Sequence, residues 1–245
     1  MVNFIILLIS HLIGDFYLQT TKVAKCKNAQ TGSRCNSCKK CKVGAKLNIK
    51  FMLIHTLLYI IPFFSLFLIT DCSTVIICLI IIFVTHALID IITCCLNKKF
   101  KQTIIFIIDQ IVHIVVLFVI YKVCSLNSFF QEYVDIIKII LSVLLLTAPC
   151  SIFINKLFMD VYPDTDVEGI FDVGSIIGII ERFLVFIFAC FGNFAAIAII
   201  ITVKTWARNE DLKDKDFRNK YLLGTLASLT VALVVFVALK NMPTL

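Results

Sequence analysis

The sequence predicts an all-α protein, a polytopic bundle of about eight transmembrane helices with both termini outside. Of its 245 residues, 60% are hydrophobic and only 16% are charged, and the mean hydropathy is +0.99. Soluble domains of this length contain a larger share of charged residues. Apolar runs of about 18 or more residues, each able to cross a hydrocarbon core, recur along the whole chain. We therefore interpret residues 1–245 as a single transmembrane domain.

The first apolar run, residues 2–19, is predicted to be a retained span and not a cleavable signal peptide. It lacks a basic leader and a small-residue cleavage site, and it contains His11 and Asp15. Residues 20–50 follow as a loop with nine lysine or arginine residues and no acid. Because positively charged loops stay in the cytoplasm, the amino terminus is expected outside.

The order of the remaining spans follows from the apolar runs and the basic loops between them. An acidic loop over residues 157–173 falls on the cytoplasmic side, and we interpret it as a lid or docking segment. Two later spans form a hairpin that turns at Phe191-Gly192-Asn193. The predicted spans are 51–70, 73–96, 103–121, 136–155, 174–190, 193–203 and 221–239. The net charge of +7 therefore belongs to loops, where it sets topology and attracts anionic lipid, and no nucleic-acid partner is expected.

Three spans contain a histidine and an aspartate four residues apart, which places each pair on one helix face. The pairs are His11 with Asp15, His86 with Asp90, and Asp109 with His113. A rise of 1.5 Å per residue puts the three histidines roughly 13–15 Å from the cytoplasmic ends of their spans. Four acids and histidines join Asp90 in a second layer roughly 6–9 Å deep; they are Asp15, His55, Asp109 and Glu181.

Imidazole nitrogens and carboxylate oxygens are typical ligands of first-row metals. We therefore predict a divalent metal, preferably zinc, bound by residues drawn from seven positions: His11, Asp15, His55, His86, Asp90, Asp109 and His113. Some of these side chains would instead orient a ligand, and the full set is large enough for two ions. A bound ion activates water for hydrolysis, and Glu181 and Asp15 are the predicted catalytic carboxylates.

Three functions are compatible with this polar layer. The first is an intramembrane metal-dependent hydrolase, with membrane lipids as partners and a lipid or lipid-linked phosphate or ester as substrate. The second is a proton-coupled or metal-ion transporter, although the sequence lacks the broken-helix repeats of many transporters. The third is a non-catalytic scaffold in which the polar residues only specify packing. The oligomeric state does not follow from the sequence.

Seven motifs occur in order along the chain. They are His11-Leu-Ile-Gly-Asp15-Phe-Tyr-Leu-Gln19, Leu53-Ile-His55, His86-Ala-Leu-Ile-Asp90, Ile108-Asp109-Gln110-x-x-His113, Gly178-Ile-Ile-Glu181-Arg182, Lys204-x-x-x-Arg208 and Tyr221-Leu-Leu-Gly224-Thr225-x-x-Ser228. Together they resemble the bacterial membrane family of domain of unknown function 3307. The sequence also resembles, more loosely, bacterial inner-membrane proteins described as metal-dependent hydrolases. These resemblances imply a multi-pass protein of the plasma membrane and, by analogy, hydrolase chemistry.

The loop of residues 20–50 departs from that family because it contains four closely spaced cysteines. Cys26, Cys35, Cys38 and Cys41 follow the pattern C-x8-C-x2-C-x2-C. The cytoplasm is reducing, so disulfides are not expected there. The four thiolates could hold a second zinc ion or an iron–sulfur cluster, with zinc preferred. The alternative is a loop that binds no metal.

Arg182 lies within the predicted span 174–190, whereas Lys204 and Arg208 follow the span that ends at residue 203. Arg182 is expected to reach the interface or to pair with an acid on a neighbouring span. Lys204, Trp206 and Arg208 are interpreted as an anchor at lipid head groups. In an enzyme, the same cations would hold a substrate phosphate.

Overall fold

The computed structural model describes residues 2–19, 49–96, 100–124, 130–163 and 173–242. All regular elements in these ranges are helical, which confirms the predicted all-α class. Five helical segments of the described chain are long and apolar enough to cross a membrane: Lys50–Leu68, Cys72–Leu96, Gln102–Val123, Gln131–Val161 and Lys215–Lys240. Many large apolar side chains point outward from these helices, as expected of surfaces that face lipid. The total number of spans and the sides of the termini remain predictions.

Two predicted segments lie partly outside the described residues. Of the loop predicted over residues 20–50, residues 20–48 are not described, so the cysteine site lies outside the structure. That site consists of Cys26, Cys35, Cys38 and Cys41. Of the predicted acidic loop, residues 157–161 are helical and residues 164–172 are not described.

The described ranges form nine α-helices and four shorter helical elements. The α-helices are α1 Val2–Leu12, α2 Ile49–Ile60, α3 Cys72–Leu96, α4 Gln102–Val123, α5 Val134–Leu146, α6 Ala148–Val161, α7 Val173–Cys190, α8 Phe194–Ala207 and α9 Lys215–Lys240. A π-helical turn, Ile13–Tyr17, continues α1, and a 3₁₀ segment, Ile61–Leu68, continues α2. Short 3₁₀ turns at Gln131–Tyr133 and Asp211–Lys213 precede α5 and α9.

The chain groups into two compact units, Met1–Ile137 and Lys138–Leu245. In the first unit, α1 to α4 pack around an apolar core at one end of the histidine cluster. Its fully buried members come from all four helices and the 3₁₀ segment: Leu7, Tyr59, Phe63, Leu66, Ile69, Val75, Cys78, Ile82, Leu117 and Ile120. This core fixes the relative positions of the four helices that contain histidine.

The π-helical turn and Gly14 bring α1 close to α2. The Leu18 N–H donates to the Ile13 carbonyl, five residues earlier, at 3.0 Å, and such turns are frequent at functional sites. A Cβ atom at Gly14 would lie 2.7 Å from the carbonyl oxygen of Tyr59. Only glycine permits this approach, which places Asp15 beside α2.

In the second unit, the predicted span 136–155 is interrupted at Thr147, a break that was not predicted from the sequence. Thr147 has φ −94° and ψ −105°, so α5 ends at Leu146 and α6 begins at Ala148. Pro149, in the first turn of α6, has no N–H to donate to the preceding turn. The turn predicted at residues 191–193 is confirmed, because Gly192 adopts φ +68° between α7 and α8.

Candidate metal centre

The four histidines of the chain come from four different helices of the first unit and meet in its interior. His11 lies on α1, His55 on α2, His86 on α3 and His113 on α4. Each is at most 3% exposed. Side chains of the pairs are in direct contact, which confirms their predicted convergence. The apolar core that all four helices share keeps the helices in these positions.

Four ligand-type atoms converge at one point of this cluster. The Nε2 atom of His55 lies 3.1 Å from Nε2 of His86, 3.2 Å from Oδ1 of Asp15 and 3.4 Å from Oδ2 of Asp90. The Nε2 atom of His86 lies 3.5 Å from the same Asp90 oxygen. These two nitrogens and two oxygens come from the π-helical turn that follows α1, from α2 and from α3.

The spacing of these atoms matches a tetrahedral metal site. An ion bound at about 2.1 Å by four tetrahedral ligands separates neighbouring ligand atoms by about 3.4 Å. Four of the six atom pairs are separated by 3.1 to 3.5 Å, which brackets that value. The ligand atoms of Asp15, His55 and His86 lie within 4.8 Å of one another, so these three residues could hold one metal ion. The Asp90 oxygen lies beside both nitrogens of this group.

Hydrogen bonding alone accounts poorly for this convergence. A ring nitrogen carries at most one proton, so His55 Nε2 cannot donate to His86, Asp15 and Asp90 together. The two carboxylates are also largely removed from solvent, with side chains 11% and 4% exposed. Buried carboxylates require compensating positive charge, and a divalent cation supplies two charges at this point.

A backbone carbonyl of α4 determines which nitrogen of His86 carries the proton. His113 Nδ1 lies 2.9 Å from the Asp109 carbonyl oxygen, which can only accept, so Nδ1 carries the His113 proton. In the neutral ring, His113 Nε2 then accepts from His86 Nδ1–H across 2.8 Å. The neutral His86 ring therefore presents the lone pair of Nε2 toward His55 and Asp90, as a metal ligand requires.

A second chain of hydrogen bonds, through Gln110, orients Asp15. The Gln110 amide nitrogen donates to Asp15 Oδ2 at 3.1 Å and to Asp109 Oδ2 at 3.0 Å. Its oxygen must then accept from His11 Nε2–H, at 3.1 Å. The other nitrogen of His11 accepts from the Tyr59 hydroxyl at 3.0 Å. Both nitrogens of His11 are thus occupied, and Asp15 keeps Oδ1 toward His55.

Tyr59 also holds the His86 ring in place. The two rings are stacked, with centroids 3.5 Å apart and planes inclined by 6°. Tyr59 is 1% exposed and packs in the apolar core, so its own position is fixed and it restrains the imidazole of His86. Its hydroxyl, its ring face and its backbone carbonyl contact His11, His86 and the Gly14 region respectively.

The seven predicted ligands therefore separate into two sets in the structure. Asp15, His55, His86 and Asp90 provide the four converging atoms. Three others surround them and contact ligand-bearing residues directly or through Gln110: His11, Asp109 and His113. His86, Asp90 and His113 form an alternative group with ligand atoms within 4.8 Å of one another.

The family model described as "Protein of unknown function (DUF3307)" matches residues 3–141, more than half of the chain. The chain belongs to the DUF3307 family. Neither the curated proteins nor the solved structures include a match. The matched DUF3307 range contains every residue of the candidate metal centre, whereas the motifs that begin at Gly178, Lys204 and Tyr221 lie beyond it.

Glu181, predicted as a catalytic base of the DUF3307 protein, lies on α7 in the second unit. Its Oε2 atom accepts from Lys204 Nζ at 2.5 Å. The catalytic role of Glu181 remains a prediction. Asp15, the other predicted catalytic carboxylate, directs one oxygen at His55 and the other at Gln110, an arrangement that suits a metal ligand.

Two residues of the DUF3307 site were not predicted. Tyr59 lies four residues after His55, a spacing that places both on one face of α2. Gln110 follows Asp109 directly and reaches both Asp15 and His11. The helical spacing could have indicated Tyr59, but the role of Gln110 depends on how α1 packs against α4, which the sequence does not reveal.

Proposed function

We propose that this DUF3307 protein binds one divalent metal ion through Asp15, His55, His86 and Asp90, within the membrane-embedded part of its first unit. The observation that carries the proposal is the convergence of two nitrogens and two oxygens at 3.1 to 3.5 Å. The two carboxylates neutralise a divalent charge, so the loaded site has no net charge within the apolar helices.

The donor set favours zinc among the first-row metals. Zinc accepts imidazole nitrogen and carboxylate oxygen in a four-coordinate tetrahedral arrangement. Magnesium and calcium prefer sites made of six or more oxygens. The hydrogen bonds that orient His86 and Asp15 from outside support the assignment, because metal ligands are commonly held in this way.

We further infer that the ion serves hydrolysis of a lipid or lipid-linked phosphate or ester. When bound, such an ion polarises a carbonyl or phosphoryl oxygen and lowers the pKa of water. The supporting observation is that His55, His86 and Asp90 lie within apolar helices long enough to span a membrane, where lipid is the abundant substrate. In this proposal Asp15 is one of the ligands that hold the ion.

A metal-ion or proton-coupled transporter is the second candidate, and one observation favours it. Helices that bind transported ions are often irregular at the site. Here the π-helical turn Ile13–Tyr17 contains Asp15, and α2 becomes a 3₁₀ segment at Ile61, six residues after His55 and two after Tyr59. In this alternative, the same ligands would form a step along an ion path.

Turnover and transport assays on one reconstituted preparation distinguish the candidates. Proteoliposomes loaded with zinc would be tested for release of phosphate or fatty acid from phosphatidate, and sealed empty vesicles for zinc uptake. The variant is His86→Ala. The control is Thr56→Val, a buried change next to His55 whose hydroxyl bonds only within α2, to the Met52 carbonyl.

The hydrolase predicts zinc-dependent release that is lost in His86→Ala and retained in Thr56→Val. Uptake without release, lost in the same variant, would replace the hydrolase by the transporter. If His86→Ala lowers only thermal stability and neither release nor uptake occurs with any phospholipid tested, the polar layer is a packing device.

A further inference from the structure

The second unit contains a cavity of about 400 Å³ that the candidate metal centre does not involve. It lies at the end of the unit where α7 begins, α8 ends and α9 begins, with α6 along one side. Apolar side chains such as Ile154, Phe158 and Ile177 line part of its wall. The remaining wall contains polar side chains and four basic residues, Arg182, Lys204, Arg208 and Lys220.

Arg182 forms the buried part of the cavity wall. It is 3% exposed, and its hydrogen bonds within the described chain go to neutral oxygens. Nε donates to the Leu146 carbonyl at 2.7 Å, Nη2 to Ser151 at 2.7 Å and Nη1 to Ser228 at 3.4 Å. These bonds fix the guanidinium without neutralising its charge and use three of its five N–H groups. The expected pairing of Arg182 with an acid on a neighbouring span is therefore replaced by bonds to neutral oxygens.

The break in the α5–α6 segment creates this arrangement. Because the helix is interrupted at Thr147, the Leu146 carbonyl is available to Arg182, and Ser151 lies in the next turn. Gly178, one turn before Arg182 on α7, leaves space beside the guanidinium. A Cβ atom there would lie 3.3 Å from Nη1.

Three further cations line the cavity nearer to solvent. They are Lys204 and Arg208 at the end of α8 and Lys220 near the start of α9. Glu181 is the one acid among the lining residues that the structure describes, and it pairs with Lys204. Four cations face one carboxylate, so the cavity attracts an anion, and the guanidinium groups suit the planar recognition of phosphate.

The position and the mixed lining point to an anion attached to an apolar chain. The cavity opens where apolar helices end, which is the level of lipid head groups. Trp206, between the two cations of α8, is 79% exposed, as expected of an interfacial aromatic. We propose that this cavity binds the phosphate of an anionic phospholipid, with Arg182 at its base and Arg208 and Lys220 at its mouth. The proposal does not depend on the metal centre.

Native mass spectrometry of the full-length protein in detergent tests the proposal. The probes are phosphatidate, phosphatidylcholine and inorganic phosphate as a competitor. The principal variant combines Arg208→Gln with Lys220→Gln. Its control combines Lys213→Gln with Lys215→Gln, which removes the same charge from exposed positions of the adjoining segment that do not line the cavity.

The expected result is one phosphatidate bound at least about tenfold more tightly than phosphatidylcholine, a preference lost in the principal variant and kept in the control. Arg182→Lys, which keeps the charge but not the fork, should weaken binding similarly. If Arg182→Lys does not fold, the comparison between the principal variant and its control decides. Equal losses in principal and control variants would overturn the proposal, because they indicate unspecific charge attraction. Displacement by inorganic phosphate at equal concentration would overturn the lipid assignment.

Discussion

The Nδ1 atom of His86 lies 2.8 Å from the Nε2 atom of His113, and this contact sets the tautomer of His86. Since the Asp109 carbonyl holds a proton on His113 Nδ1, the proton between the rings belongs to His86 Nδ1. We predict that ¹⁵N NMR of histidine-labelled, zinc-loaded protein shows His86 and His113 protonated on Nδ1 and His11 on Nε2. A His86 ring protonated on Nε2 would be incompatible with its role as a ligand.

Replacement of His113 should weaken metal binding without abolishing it. His113→Phe keeps a ring in place and removes the acceptor of the His86 proton. Loss of such an orienting partner lowers metal affinity by roughly 10–100-fold, whereas His86→Ala should remove binding altogether. Competition with a chelator of known affinity measures both. If His113→Phe behaves like His86→Ala, His113 is itself a ligand, as in the alternative group with His86 and Asp90.

Substitution of Gly14 should separate α1 from α2. In Gly14→Ala the new methyl group would lie 2.7 Å from the Tyr59 carbonyl oxygen and 2.8 Å from Tyr59 Cδ2. Such overpacking destabilises a protein by roughly 1–3 kcal/mol, and it would also move Asp15 away from His55. Thermal unfolding and metal content should both decrease. Gly224→Ala is the control, because its Cβ meets only the tip of the Phe158 ring at 3.2 Å.

Asp71 lies outside the predicted membrane spans, and we expect its contribution to the stability of the fold to depend on pH. It caps α3 by accepting from the Ser73 hydroxyl and from the backbone N–H and hydroxyl of Thr74. These hydrogen bonds, that of Ser73 first, hold the pKa of Asp71 well below its ordinary value of 3.8. The charged carboxylate therefore stabilises the folded state above about pH 4, and this contribution is lost as the pH falls.

The variant Asp71→Asn should consequently unfold at a lower temperature than the natural protein at pH 7, and the difference should shrink toward pH 2. Circular dichroism during heating measures it. The control is Asp135→Asn, which changes an exposed acid in the first turn of α5. A difference that stays constant with pH would show that the Asp71 charge does not contribute.

The sequence could predict that the histidine and aspartate pairs come together because helical spacing is a local property. Each histidine and aspartate pair spans one turn, so His86 and Asp90 necessarily share a face of α3. Depth counting also anticipated that His11, His86 and His113 would be neighbours; the His11 and His113 ring centroids are 5.3 Å apart. The two-layer arrangement therefore required only the period of the helix and the direction of each span.

What the sequence could not provide is the distinction between ligands and the residues that orient them. His11 and His86 have the same local pattern, yet one contacts Tyr59 and Gln110 while the other faces His55. That difference arises from the rotation of α1 and α3 about their axes, which depends on packing between helices. The break at Thr147 was missed for a related reason, since Pro149 is tolerated both in a new first turn and in kinked membrane helices.

Metal content measured by elemental analysis tests the central claim most directly. The four loop cysteines, Cys26, Cys35, Cys38 and Cys41, are first changed to serine, so that any remaining metal reports on the histidine cluster. We predict about one zinc ion per chain in this protein, none after the further change His86→Ala, and no change with Thr56→Val. Metal that disappears with the cysteines alone would contradict the proposed centre at Asp15, His55, His86 and Asp90.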